Sequence, residues 1–247
     1  MSRKREDFDL DEAIEGQIKD QFYETLKLAI ISCELPPGEE LSEGYLAARY
    51  GVGKASVRHA LSRLGQDGWV SSRPRSGHVV APMTMEDVVD IFAMRELVEP
   101  ESAARAAGKI SEAKLKRLNK ACANPYRVSD GAAKRRFLLA NRDFHVVIAE
   151  ASGSQRLAQS VTKLHDESLR ILYLTASEKE LSNDWSRGHG PMIEAIVGGD
   201  GKAAYKTTLD GIRRSQDRVM AALASAPELI TGRRTLRVPA RLAAARS

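Results

Sequence analysis

The chain has 247 residues and a formal net charge of +5, with 43% hydrophobic, 29% charged and 5% aromatic residues. At ~100–200 residues per domain it can hold one large domain or two small ones, and its apolar share excludes wholesale disorder. An Ala-, Leu- and Arg-rich chain with 5 Phe, 6 Tyr and 2 Trp is short of strand formers for a β-sandwich. The apolar runs, such as Leu138–Ala140, are far too short to span a membrane, and the charged start MSRKREDFDLDEAIEG has no signal-peptide core. A cytoplasmic location without membrane association is therefore expected. Cys33 and Cys122 fit no metal or disulfide spacing and are read as two apolar thiols in a reducing compartment.

In chain order, a first helix is expected over about 12–32, ahead of the turn Leu35-Pro36-Pro37-Gly38. Two short helices follow, about 42–50 and 54–66. Trp69 to Ser72 and His78 to Ala81 read as strands around the basic turn Arg73-Pro74-Arg75-Ser76-Gly77. After Pro82 the texture changes to helical periodicity. Helices are placed near 86–107, 111–122, 132–151, 154–177, 182–198 and 201–224. The domains expected are 1–82, 83–226, and an Arg-rich, disordered tail over 227–247. The fold class is mainly α: an N-terminal winged helix-turn-helix with a small β-hairpin wing, then an all-α helical bundle.

The charge is unevenly spread. Residues 1–43 are acidic, whereas Arg49, Lys54, Arg58, Arg63, Arg73 and Arg75 face a single acid, Asp67, within 44–80. In the same stretch, Ala47 is small enough for two helices to cross closely, and Gly51, four residues on, suits the turn between them. Leu46, Tyr50, Val52, Val57 and Ala60 have the spacing to fill the wedge, and Leu61 and Leu64 continue the buried stripe. The opposite face shows Ala55, Arg58, His59 and Ser62, a composition that suits the major groove of DNA. An ordinary surface helical hairpin would share the spacing. The basic hairpin directly afterwards favours a wing that reaches phosphates or the minor groove.

These residues resemble the DNA-binding domain of the GntR transcription regulators. The resemblance covers about residues 20–81. It rests on Pro37-Gly38, Leu41-Ser42-Glu43, Leu46-Ala47, Gly51-Val52, Val57-Arg58, Ala60-Leu61, Leu64, Gly68 and Gly77. It departs at Gly44, at Gly53-Lys54 and at His59, where the family usually has Arg, Ser-Arg and Glu. Lys54 keeps a phosphate contact but not a bidentate guanine contact. The residues expected at double-stranded DNA are Glu43, Tyr45, Lys54, Ala55, Ser56, Arg58, His59, Arg73, Arg75, Ser76, Gly77 and His78.

The second half resembles the FCD ligand-binding domain of FadR-type GntR regulators, over about residues 85–222. Phe92 to Glu99, the segment Asn141-Arg142-Asp143-Phe144-His145, and His189 eleven residues before Asp200 carry the likeness. It implies a bundle holding a small carboxylate effector, often at a metal bound by His and Asp/Asn. On a helical wheel Phe137, Ala140, Phe144, Ile148 and Ala151 form one apolar arc, and Asn141 and His145 fall inside its edge. His189 shares a stripe with Met192, Ile193 and Ile196. Such residues suit either a polar interior site or hydrogen-bonded core histidines. The implied metal set is Asn141, His145 and His189, with zinc or nickel as the divalent cofactor. Gly211 stands where metal-binding members usually carry a further His. Arg95 and Arg170, with Asn141, are the expected effector contacts, since a guanidinium offers a planar fork to a carboxylate. Solvated or ion-paired arginines are the plainer reading, and His165 and Asp166 stay undecided.

Together these features imply a homodimeric transcription regulator on a two-fold operator, answering to a small carboxylate, and not an enzyme. Nucleophile–base pairs, HExxH motifs and phosphate loops are absent from the sequence. The alternatives are a constitutive DNA-binding regulator with a vestigial sensor, or a metal-dependent enzyme on the bundle.

Overall fold

Helix α1 (20–31) opens the first element for a simple reason: Phe22, Leu26, Ala29 and Ile30 recur at helical spacing and are all buried. The computed structural model describes residues 20–73, 77–122, 131–175, 188–226 and 229–230. These residues fall into two compact units. One contains residues up to 82, 117–144 and 165–186; the other contains 83–116, 145–164 and residues from 187 on.

In the first unit, the Pro36-Pro37-Gly38 turn is clipped to the sheet by the Gly38 N–H, which donates to the Val80 carbonyl at 2.9 Å. Strand β1 (Glu40–Leu41) follows, then α2 (Glu43–Tyr50). Ser42 caps α2 by accepting from the Tyr45 N–H at 3.1 Å. Gly51 ends α2 at φ +67°, a left-handed conformation that costs glycine nothing, and donates to the Ala47 carbonyl at 3.0 Å. Helix α3 (Lys54–Gln66) buries Val57, Ala60, Leu61 and Leu64. Strands β2 (Val70–Arg73) and β3 (Gly77–Val80) pair antiparallel, with Ser72 opposite His78. β1 lines the other edge of β3, giving the order β1-β3-β2. Gly77 sits at φ +81°, and a Cβ there would stand 3.1 Å from the Leu41 carbonyl oxygen. That position tolerates no side chain without strain.

The remaining helices are α4 (Met85–Ala106), α5 (Glu112–Ala121), α6 (Gly131–Ala151), α7 (Gln155–Thr175), α8 (Gly190–Val197) and α9 (Gly201–Ser225). Within the first unit, buried Asp166 of α7 accepts from Lys27 of α1 at 2.6 Å and from Arg142 of α6 at 2.5 Å. Arg170 of α7 donates to the Ala81 carbonyl just after β3. Lys134 of α6 donates to the Tyr173 carbonyl at 2.6 Å. Polar bonds thus fasten α6 and α7 to α1 and to the end of the wing sheet.

In the second unit, Thr84 and Asp87 form a reciprocal cap at the start of α4. Pro100 lies inside α4, where it removes the N–H that would bond the Glu96 carbonyl. Helix α9 packs antiparallel along α4. A Cβ on Gly201 would stand 3.0 Å from the Ala104 carbonyl, and Arg213 reaches Glu96 at 3.1 Å. Phe92, Ile148, Val161, Met192, Ile196 and Ile212 contribute to its core.

Most expected elements lie within two residues of the observed ones. β1 was not expected, and the helix placed over 182–198 is described only as α8 (Gly190–Val197). Residues 12–19, the turn residues Pro74, Arg75 and Ser76, and the tail apart from 229–230 lie outside the described residues.

Candidate nucleic-acid interface and interior histidine site

The first candidate surface is the outer face of α3. Lys54, Ala55, Arg58 and His59 are exposed and Ser56 half-buried, whereas Val57, Ala60, Leu61 and Leu64 point inward. Gly53 gives α3 no side-chain cap, and its first turn holds no acid. Its leading N–H groups and positive dipole end therefore sit beside Lys54, an arrangement that favours an anion such as a phosphate. Arg58 Nε lies 3.2 Å from Glu43 Oε2, but the Arg58 side chain is 67% exposed. A solvated pair of this kind holds weakly and leaves the guanidinium available. Tyr45 is exposed on α2, where its hydroxyl accepts from Arg49 at 2.7 Å. Arg49 also pairs with Glu34 and stacks over the Tyr45 and Tyr50 rings; the bond to Tyr45 leads the effects that hold its guanidinium above the usual range. Arg73 and Gly77 are exposed at the wing and His78 is half-buried. Arg75 and Ser76 lie outside the described residues.

Helices α2 and α3 are braced from α1. Phe22 meets Tyr50 edge-on at 5.6 Å, and the Tyr23 ring lies under Arg63 at 4.0 Å. The Tyr23 hydroxyl donates to Asp67; burial first, and that bond second, push its pKa upward.

The second candidate lies in the second unit. Arg95 Nε donates to Glu99 Oε1 at 2.5 Å, and both side chains are almost wholly buried. Glu99 Oε2 stands 3.5 Å from His145 Nδ1. The His145 and His189 rings meet edge-to-face, with centroids 5.2 Å apart. Beside them is a cavity of about 10 Å³, lined by residues including Glu99, Ser102, His145, Met192 and Thr208. That is room for about one water molecule or ion. Glu99 and His145 line this ion-sized cavity and the His189 ring packs on His145, so a carboxylate and an imidazole, donor types that zinc and nickel take, stand at it with a second imidazole beside them. Gly211 leaves space, since a Cβ there would meet only Arg214 Nη2 at 3.8 Å.

The structure thus brings together His145, His189 and Arg95 of the expected residues, and adds Glu99. Only the opening-helix likeness of Phe92 to Glu99 pointed to Glu99; an acid one turn after Arg95 otherwise looks like a surface pair. Asn141 and Arg170 belong to the first unit. Asn141 is buried, one turn before His145 along α6, and its Oδ1 has no hydrogen-bond partner among the described residues. Arg170 is engaged by the Ala81 carbonyl. His165 is also buried in the first unit.

Two family models match the chain: the FCD domain over residues 90–214, and bacterial regulatory proteins of the gntR family over residues 18–80. Over 202 residues the chain is 23% identical to the HTH-type transcriptional repressor RspR of Escherichia coli K12, covering 82% of this chain and 89% of that protein. It is 26% identical over 207 residues to the HTH-type transcriptional regulator YdhC of Bacillus subtilis 168, covering 83% and 91%. Among solved structures, it resembles E. coli McbR/YncC with a TM-score of 0.71, at 20% identity over 83% of this chain and 97% of that one. A GntR regulator from Rhodococcus sp. RHA1 gives 0.69 at 20% identity, over 83% and 98%. Among the described residues no helix is long and apolar enough to cross a membrane.

Proposed function

Since the chain belongs to the GntR family of bacterial regulatory proteins and carries an FCD domain, we propose that it is a homodimeric, cytoplasmic regulator of the FadR type whose grip on a two-fold operator answers to a small organic acid. Its relatives are transcription regulators, not enzymes. Residues 1–82 form the DNA-reading domain, 83–226 the sensing and dimerising domain, and 227–247 an Arg-rich tail. The observation that carries the reading is the two-faced α3, apolar toward the core and basic outside. Arg58 and His59 are placed to read base edges, while Lys54, the start of α3 and the wing residues Arg73, Arg75, Ser76 and Gly77 hold phosphates.

On the sensing side, His145 and His189 are the nitrogen donors for a divalent cation and Glu99 supplies the carboxylate. A bound cation would offer an effector carboxylate an open coordination position. Arg95 already holds a carboxylate, that of Glu99. An incoming acid competes with Glu99 for the same guanidinium, so its arrival rearranges the middle of α4, which carries both. The ion-sized cavity makes such rearrangement a condition of entry. The signal has a route to the reading head in Asp166, which joins α6 and α7 to α1.

Selecting bound DNA from a random pool, then screening carboxylic acids for release, tests the reading. A two-fold site and an acid that changes its affinity support it; uniform, sequence-blind binding refutes it. For the cation, untagged protein should carry near-stoichiometric divalent metal, added zinc or nickel should raise the melting temperature of stripped protein, and His145→Ala should abolish that rise. A melting curve unmoved by either metal refutes the metal site.

A further inference from the structure

We propose that the outer face of α5 is a second polyanion-binding surface, one that holds the phosphates of duplex DNA without reading bases. Nine lysines and arginines fall between residues 109 and 136, against two acids, Glu112 and Asp130. This positive run is denser than the one in 44–80. Its surplus of seven charges exceeds the net +5 of the chain, so the remainder is net acidic. At 100° per residue, Lys114, Lys116, Arg117 and Lys120 fall within an arc of about 160° on α5. All four are exposed, while Leu115 on the opposite side is buried and Leu118 half-buried. Arg117 and Lys120, together with exposed Arg135 and Arg136 of α6, belong to the same compact unit as the reading head.

Exposed helical cations are ordinarily interspersed with acids that neutralise them. Here, among the described residues, a single ion pair touches the arc, Lys116 with Glu112 at 2.6 Å, and both partners are more than half exposed. Arg117 stands three residues from Lys114 and from Lys120, and Lys116 four from Lys120, spacings at which like charges repel and oppose the helix. A phosphate chain on the arc relieves that repulsion and releases counterions as it binds. The composition of α5 selects the polyanion. It has no aromatic side chain on which a single-stranded base could stack. Its leucines face inward, so neither is left to enter a lipid surface. Long cations alone suit the evenly spaced phosphates of a duplex, the ligand that the reading head of the same unit engages.

This inference rests on the reading of a DNA-binding regulator, so its test uses long duplexes with and without the selected operator. On both, the full chain carrying Arg117→Ala and Lys120→Ala should bind at least roughly fivefold more weakly than the parent, with the log–log salt dependence flattened by about two units. The charge-preserving pair Arg117→Lys and Lys120→Arg should keep the parent's affinity and slope. The circular dichroism melt should not fall in either variant, as suits exposed positions. A slope identical to the parent's in the alanine variant, or an equal flattening in the charge-preserving one, overturns the proposal. So does a loss confined to vesicles of phosphatidylglycerol and phosphatidylcholine, which assigns the face to a lipid surface instead. An unmoved slope in a chain that still selects an operator removes this face alone. A flattened slope in a chain that binds DNA without sequence preference removes the regulator reading and keeps the face.

Discussion

Asp166→Asn is the most informative single change in the first unit. The substitution keeps the side chain's shape and removes its charge, so any effect comes from the two bonds to Lys27 and Arg142. Burial works against the Arg142 guanidinium, yet the bonds to Asp166 and Asp143 outweigh it and hold its pKa above the usual range. Charge-assisted hydrogen bonds contribute about 1.5–3 kcal/mol each. Breaking a fully buried pair costs about 3–5 kcal/mol. Here Asp166 is 5% exposed but Lys27 and Arg142 are 17% and 23% exposed, so the stranded cations recover some hydration. The expected loss is about 2–3 kcal/mol, which for a chain of this size lowers the melting temperature by roughly 4–12 °C. Urea denaturation followed by circular dichroism measures it. A cycle with Lys27→Met should return a coupling of about 1 kcal/mol. A destabilisation under about 0.5 kcal/mol, or strict additivity with Lys27→Met, would refute the claim that Asp166 ties α1 to α6 and α7.

Other outcomes concern the DNA face and the thiols. Arg58→Ala should weaken binding to the selected operator by about 1–3 kcal/mol and relax preference at one base position, read by competition against single-base variants; unchanged affinity with an intact fold removes Arg58 from the interface. Arg73→Ala should weaken binding to all sequences and flatten the log–log salt dependence by about one unit, so an identical slope takes the wing off the phosphates. Burial first, and the Asp143 charge second, push the Cys122 thiol up to about 12 from 9.0. Because the folded state keeps this proton longer than the unfolded chain, the stabilisation is complete below about pH 9 and is lost as pH rises toward about 12. Melting temperatures of the parent should therefore fall more steeply above pH 9 than those of Cys122→Ala, and parallel curves would refute it.

The reading head was legible because its signals are local. Ala47 and Gly51 set the crossing and the turn, and the apolar stripe of α3 follows from Val57, Ala60, Leu61 and Leu64 within one helix. β1 escaped notice because two residues, Glu40 and Leu41, give no alternation to count; its pairing comes from β3, nearly forty residues on. In the C-terminal half, periodicity placed His145 and His189 inward, and the fold sets their rings together. It could not place Glu99, which four-residue spacing from Arg95 makes indistinguishable from an exposed helical pair until burial is known. Nor could it foresee Asp166 meeting Lys27 across 139 residues, since no local pattern encodes a partner so distant in sequence.

The bare start of α3 has a thermodynamic consequence. A helix whose first N–H groups lack a side-chain acceptor is an unfinished hydrogen-bonding unit, satisfied by water until an anion arrives. Glycine at position 53 adds backbone freedom there, so the first turn samples open forms more readily than the stretch buried behind Leu61 and Leu64. An operator phosphate would then act as the missing cap, and part of the binding free energy would go into ordering residues 54–57. Specific DNA would slow amide exchange most at this turn, and a side-chain cap introduced by Gly53→Ser would stiffen the free helix while competing with the phosphate for the same donors. Stability and affinity would move in opposite directions at that one position.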